Sequence, residues 1–120
     1  MPQTEVVFYC EDNLSPPLEW IESLANTLQD KAEVRITMLE DFGSDLRRPI
    51  SDKLRDGIRE LRWKRQKVNY RLLYSYYDKN KAVILHGCTK KDRVEDYDID
   101  ISIKRLQNFI RDPENHTYEE

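Results

Sequence analysis

Cysteine is scarce, and that scarcity sets the first bounds. Cys10 and Cys88 are the only two in 120 residues. They stand far apart, form no C-x-x-C pair and have no histidine pair beside them. Neither a disulfide framework nor a metal site is expected, and both read as reduced, mostly buried thiols. Long apolar runs are missing as well: no stretch approaches the roughly 18–20 residues a membrane span needs. Residues 1–10 carry Glu5 and no basic stretch ahead of their short apolar run, so no signal peptide is expected. Repeats, low-complexity segments and an internal boundary are absent too. The expectation is one soluble, cytoplasmic domain spanning 1–120, with 112–120 as a polar, frayed tail. A chain of this length buries roughly 65% of its unfolded surface, enough for one core without staples.

Charge is abundant and unevenly spread. The net charge is −3, with 36% of residues charged. Residues 1–46 hold 2 basic and 10 acidic side chains, residues 47–91 hold 14 basic and 4 acidic, and residues 92–120 hold 4 basic and 9 acidic. The middle third is thus strongly cationic between two acidic flanks. Such a segment suits phosphates; it equally suits a solvated face neutralised by those flanks.

Residues 4–10 are β-branched and aromatic and predict a first strand. Ser15 before Pro16 and Pro17 is a helix-start pattern: a hydroxyl cap, then prolines where no N–H is needed. Leu14, Leu18, Ile21, Leu24 and Leu28 recur at helical spacing, predicting a helix over 16–29. Ala32, Ile36, Leu39 and Phe42 predict a second, over 31–42, stopped by Gly43. A short join near Asp30 implies an antiparallel helical hairpin. After a polar connection over 45–53, strands are predicted over 57–64, 68–77 and 81–88, with Asp78-Lys79-Asn80 as the tight turn between the last two. Over 97–111, Ile99, Ile103, Leu106 and Ile110 step at helical spacing, although Ile99, Ile101 and Ile103 also alternate; length favours a helix. The sum is an α+β domain: an N-terminal helical hairpin packed on one face of a small antiparallel-rich sheet, with a C-terminal helix and the opposite face free.

Arg59, Arg62, Lys64, Arg65, Lys67 and Arg71 run from one strand through a turn to the next, and Lys90 and Lys91 sit at the exit of the last. Residues two apart on a strand share a face, so Arg62, Lys64, Arg71 and one or both lysines can converge. Convergent cations suit phosphodiester cleavage, because attack of a ribose 2′-hydroxyl builds negative charge on phosphoryl and leaving oxygens. Arginine grips phosphate bidentately; lysine acts as a point charge or, with a depressed pKa, as a proton acceptor. The structural alternative pairs these arginines with Asp52, Asp56, Glu60 or helix carboxylates. His86 reads as a satisfied, semi-buried histidine before a general acid. Tyr70, Tyr74, Tyr76 and Tyr77 read as core, and Tyr97 as the better base-stacking residue.

Gly57-Ile58-Arg59-Glu60-Leu61-Arg62, Tyr70-Arg71-Leu72-Leu73-Tyr74, Ile84-Leu85-His86-Gly87-Cys88-Thr89-Lys90-Lys91 and Ile103-Lys104-Arg105-Leu106 follow one another in an order that resembles the phage-derived, HigB-like branch of the RelE/ParE toxin superfamily. The likeness spans about residues 15–110. It implies a RelE-like fold and a toxin of a toxin–antitoxin pair that cleaves messenger RNA on the ribosome by 2′-hydroxyl attack, with no metal and no cofactor. Its partners would be an antitoxin, often a helix-turn-helix protein, the ribosome and mRNA, and no membrane. By that resemblance Arg71, Arg62, Lys64, Lys90 and Lys91 are catalytic candidates; Arg59, Arg65 and Lys67 of the basic run and Tyr97 of the polar loop, read from the residues themselves, are RNA-binding candidates. Three departures stand out: Cys88 replaces a usual phenylalanine, the basic loop 65–69 is longer than a tight turn, and the whole chain is acidic. The alternatives are a non-enzymatic, gyrase-type inhibitor and an inactive phage-derived interaction protein.

Overall fold

A computed structural model describes residues 4–90 and 93–119. The order is β1 (Glu5–Phe8), α1 (Pro16–Glu22), α2 (Asn26–Phe42), β2 (Ser51–Lys53), β3 (Arg59–Arg65), β4 (Val68–Asp78), β5 (Lys81–Lys90) and α3 (Asp96–Arg111), with short 3-10 turns at Gly43–Asp45 and Glu114–His116. The five strands form one mixed sheet in the order β1-β5-β4-β3-β2. β1 runs parallel to β5, and the other pairs are antiparallel. Among the described residues no helix is long and apolar enough to cross a membrane.

The helices depart from the expected hairpin. α1 starts as predicted: Ser15 Oγ caps the Leu18 N–H at 3.4 Å and itself donates to the Tyr9 carbonyl at 2.7 Å. It stops at Glu22, seven residues before the predicted end at Gln29. Gln29 Nε2 reaches back to the Glu22 and Leu24 carbonyls at 3.2 and 2.8 Å, satisfying acceptors that a helix end leaves open. The join therefore falls at 23–25 rather than at Asp30. A short α1 followed by a 17-residue α2 replaces a hairpin of two comparable helices. α2 ends at Gly43, whose φ of +51° favours glycine and whose missing Cβ leaves room for the Thr4 hydroxyl.

Alternation along the strands divides the core in two. Leu61, Trp63, Leu72, Tyr74, Ala82 and Ile84 face α1 and α2, against Ile21, Leu28, Ala32 and Leu39. On the opposite face Leu73, Val83 and Leu85 pack against Ile99 and Phe109 of α3 and against Val94. That face was expected to be free; α3 covers part of it, because its apolar stripe has nowhere else to be buried. The segment 97–111 is thus helical.

Three smaller corrections follow. The connection 45–53 contains β2, whose Ser51 Oγ lies 2.7 Å from the Tyr74 hydroxyl. The basic loop 65–69 is a two-residue turn, because Arg65 and Val68 already pair across the strands and Gln66 takes the left-handed conformation. The tail lies along the outer edge of β1, where Tyr118 N donates to Phe8 O and Cys10 N to His116 O. It covers backbone groups that an edge strand would otherwise leave open.

Candidate functional site

Three cross-strand rows build the polar half of the α3 face. Glu60, Leu73 and His86 form one; Arg62, Arg71 and Cys88 the next; Lys64, Asn69 and Lys90 the third. Directly opposed side chains lie about 4.5–5.5 Å apart at Cβ. Arg62, Lys64, Arg71 and Lys90 therefore share one sheet face, the one on which α3 packs. Lys91 lies outside the described residues.

The four cations are not equivalent. Arg71 is 2% exposed, and its Nη1 lies 3.8 Å from Glu60 Oε2. Arg62, at the rim, places Nη1 3.7 Å from Glu60 Oε1 and Nη2 3.4 Å from the Pro49 carbonyl. One buried carboxylate thus sits between two guanidiniums. Burial raises the Glu60 pKa, with Arg71 and Arg62 opposing the shift. The expected alternative of carboxylate pairing holds here: Glu60 serves both arginines, while Asp52 pairs with Arg48 and Asp56 with Arg55. Lys64 is exposed and lines an open groove of about 410 Å³ with Arg62, Asn69 and Arg35. Arg35 Nε donates to the Arg62 carbonyl at 2.9 Å, holding the β3 edge where β2 has ended.

Lys90 is held by α3. Its Nζ lies 3.3 Å from Asp98 Oδ2 and 3.4 Å from Glu95 Oε2. The Asp98 contact raises its pKa, so Lys90 is a fixed ammonium and not the proton acceptor considered above. Asp98, 4% exposed, also takes His86 at 2.8 Å through Oδ1. The other ring nitrogen of His86, Nδ1, lies 3.3 Å from Arg105 Nη1, which also donates to the Leu85 carbonyl at 2.8 Å. A guanidinium can only donate, so Nδ1 accepts and Nε2 carries the proton toward Asp98. Burial lowers the His86 pKa against the pull of Asp98. The ring is neutral, with both nitrogens engaged, as the satisfied-histidine reading holds.

The RNA-binding candidates scatter. Arg59 points to the α2 side of the sheet, over the Tyr76 ring at 5.3 Å, in a separate groove with Arg47, Arg48 and Lys53. Arg65 reaches Thr27 at the start of α2 at 3.2 Å. Lys67 is exposed in the β3–β4 turn, and Tyr97 is 69% exposed at the start of α3. None of the four joins the Arg62–Arg71–Lys90 group. Tyr77 also departs from the core reading, being 40% exposed with its ring on Phe109.

Asp98 and Arg105 were missed as site residues, since neither lies on a strand and only the docking of α3 brings them in. Donors able to hold a metal gather here as well: an imidazole nitrogen of His86, the Cys88 sulfur and an Asp98 oxygen lie within 4.8 Å of one another. The H-x-C spacing on a strand is the signal that could have found two of the three. Cys88 is buried, its thiol pushed up to about 12 by that burial.

No curated protein matches the chain. The sequence profile of one family, "Phage derived protein Gp49-like (DUF891)", matches residues 19–107, from α1 through most of α3. That span is well over half of the chain and includes every row of the polar face. The chain belongs to this Gp49-like, phage-derived family, which lies within the RelE/HigB-like toxin superfamily.

Proposed function

We propose that the protein is the toxin of a HigB-like toxin–antitoxin pair and cleaves messenger RNA on the ribosome, with the polar sheet face as its phosphate site. The carrying observation is the cross-strand row of Arg62 and Arg71 beside the row of Lys64 and Lys90. Arg62, Lys64 and Lys90 are the accessible cations. Arg71, buried against Glu60, is a positioning residue: it holds the carboxylate that orients Arg62. In the reaction a 2′-hydroxyl attacks the adjacent phosphorus and the bond to the 5′ oxygen breaks. The 2′ proton is lost, the leaving oxygen gains one, and a cyclic phosphate and a 5′-hydroxyl remain. The cations stabilise charge on the phosphoryl oxygens as it develops. Phosphate entry competes with Glu95 and Asp98 for Lys90 and with Glu60 for Arg62, so binding weakens with salt. Arg59, Arg65, Lys67 and Tyr97 would contribute to ribosome or RNA contact outside this centre, and a cognate antitoxin would neutralise the protein.

The test is a translating extract given the wild-type chain. The expected result is new mRNA 5′ ends, and Arg62→Ala suppresses them. Intact transcripts with gyrase-dependent DNA breaks would transfer the reading to the non-enzymatic inhibitor. Intact transcripts without DNA damage would favour an interaction protein, a second reading that has its own support: Arg62, Arg71 and Lys90 each already face a carboxylate.

A further inference from the structure

We propose that His86, Cys88 and Asp98 form a binding site for a thiophilic divalent metal ion, of which Zn²⁺ is the type. His86 and Cys88 are two apart on β5 and share the α3 face, while the first turn of α3 lowers Asp98 onto them. The three donor atoms lie within 4.8 Å of one another. Zinc bond lengths of about 2.0–2.3 Å in a tetrahedron call for donor separations of roughly 3.3–3.8 Å. The wider donor pairs therefore need to close by up to about 1.5 Å, while His86 Nε2 and Asp98 Oδ1, now 2.8 Å apart, must open by about 0.5 Å. Imidazole, thiolate and carboxylate together make a donor set for zinc, and a poor one for magnesium or calcium, which take oxygen ligands.

A second observation places a cation at this spot. Asp98 Oδ2 is buried, accepts no well-formed hydrogen bond among the described residues, and faces the Lys90 ammonium at 3.3 Å. The ammonium stands where positive charge is wanted. Zn²⁺ would displace it, and the fourth coordination position, on the Lys90 side, would go to water. The charges balance: one divalent ion meets one thiolate and one carboxylate. The thiol proton is released on binding. The imidazole proton passes from Nε2 to Nδ1, so Arg105 Nη1 must draw back from its 3.3 Å contact. Freed from Asp98, Lys90 loses its fixed place in the third row, so metal binding would disturb the phosphate site. The metal site itself does not depend on that site's activity.

The experiment uses the full chain, reduced and free of metal, titrated with Co²⁺ and then Zn²⁺ while absorption is recorded. One equivalent of Co²⁺ gives a thiolate-to-cobalt charge-transfer band, and one equivalent of Zn²⁺ removes it. Cys88→Ser and His86→Gln each abolish the band, while Cys10→Ser retains it; circular dichroism of each variant reports its fold. No band in the wild-type chain would overturn the proposal, as would a band that survives Cys88→Ser or vanishes with Cys10→Ser. Should Cys88→Ser fail to fold, His86→Gln decides: a wild-type band that it leaves unchanged overturns the site.

Discussion

The two faces of the central sheet are made by alternate residues of the same three strands, yet they differ in kind. On the α2 side, Leu61, Trp63, Leu72 and Tyr74 form a continuous apolar layer with Trp63 and Tyr70 stacked at 6.1 Å. On the α3 side, the apolar layer stops after Leu73, Val83 and Leu85, and Glu60, Arg62, Arg71, His86 and Lys90 take over. The first face is held by burial, which is non-directional and tolerant of local error. The second is held by ion pairs and hydrogen bonds among buried and half-buried groups, each of which needs its partner. The difference teaches where function can sit: polar groups fixed by packing from beneath are already oriented for a ligand.

The largest expected effect tests the apolar face. Trp63→Ala removes a 2%-exposed indole and is expected to cost about 3–5 kcal/mol in denaturant unfolding. The buried pair tests the polar face. Arg71→Met takes from Glu60 its buried partner, leaving the rim Arg62 at 3.7 Å, and is expected to cost about 3 kcal/mol, whereas Glu60→Met with Arg71→Met recovers most of the loss, because no buried charge then lacks its buried partner. A double variant no more stable than Arg71→Met would mean that the pair is not what holds this face together.

Tyr74→Phe probes a buried polar contact on the apolar side, the 2.7 Å bond to Ser51, and is expected to cost about 1 kcal/mol. The smallest effect is a slope. His86 is neutral when folded, with a pKa lowered chiefly by burial. As pH falls below the ordinary histidine value the unfolded chain takes up a proton that the folded chain refuses, so stability declines toward the lowered folded pKa. Between pH 7 and pH 5 His86→Gln should reduce that decline in pH-dependent unfolding. An unchanged slope would show that His86 is not refused its proton.

Most of the strands were legible in the sequence. Val68–Asp78 and Lys81–Lys90 are dense in β-branched and aromatic residues and carry a turn between them, so local preference and burial agree. The α1–α2 break was not legible. Leu24 and Leu28 continue the helical stripe across it, and the side chain that stabilises the break, Gln29, acts on carbonyls five and seven residues back. The placement of α3 was missed for a related reason: periodicity shows that a helix has an apolar stripe, not which face of a sheet receives it. The site divides the same way. The row of Arg62 and Arg71 follows from strand alternation, whereas the burial of Arg71 is a matter of tertiary packing and the reach of Asp98 and Arg105 arises only once α3 has docked.

Position against total charge is the question on which the functional reading turns. The direct measurement compares two double variants that each remove two positive charges, Arg62→Ala with Lys90→Ala and Arg59→Ala with Arg65→Ala, by the rate at which new mRNA 5′ ends form in a translating extract. Loss of the α3-face pair is predicted to slow cutting by about 100-fold or more, with the other pair staying within a few-fold of wild type. Equal losses from both would contradict a phosphate site built on that face.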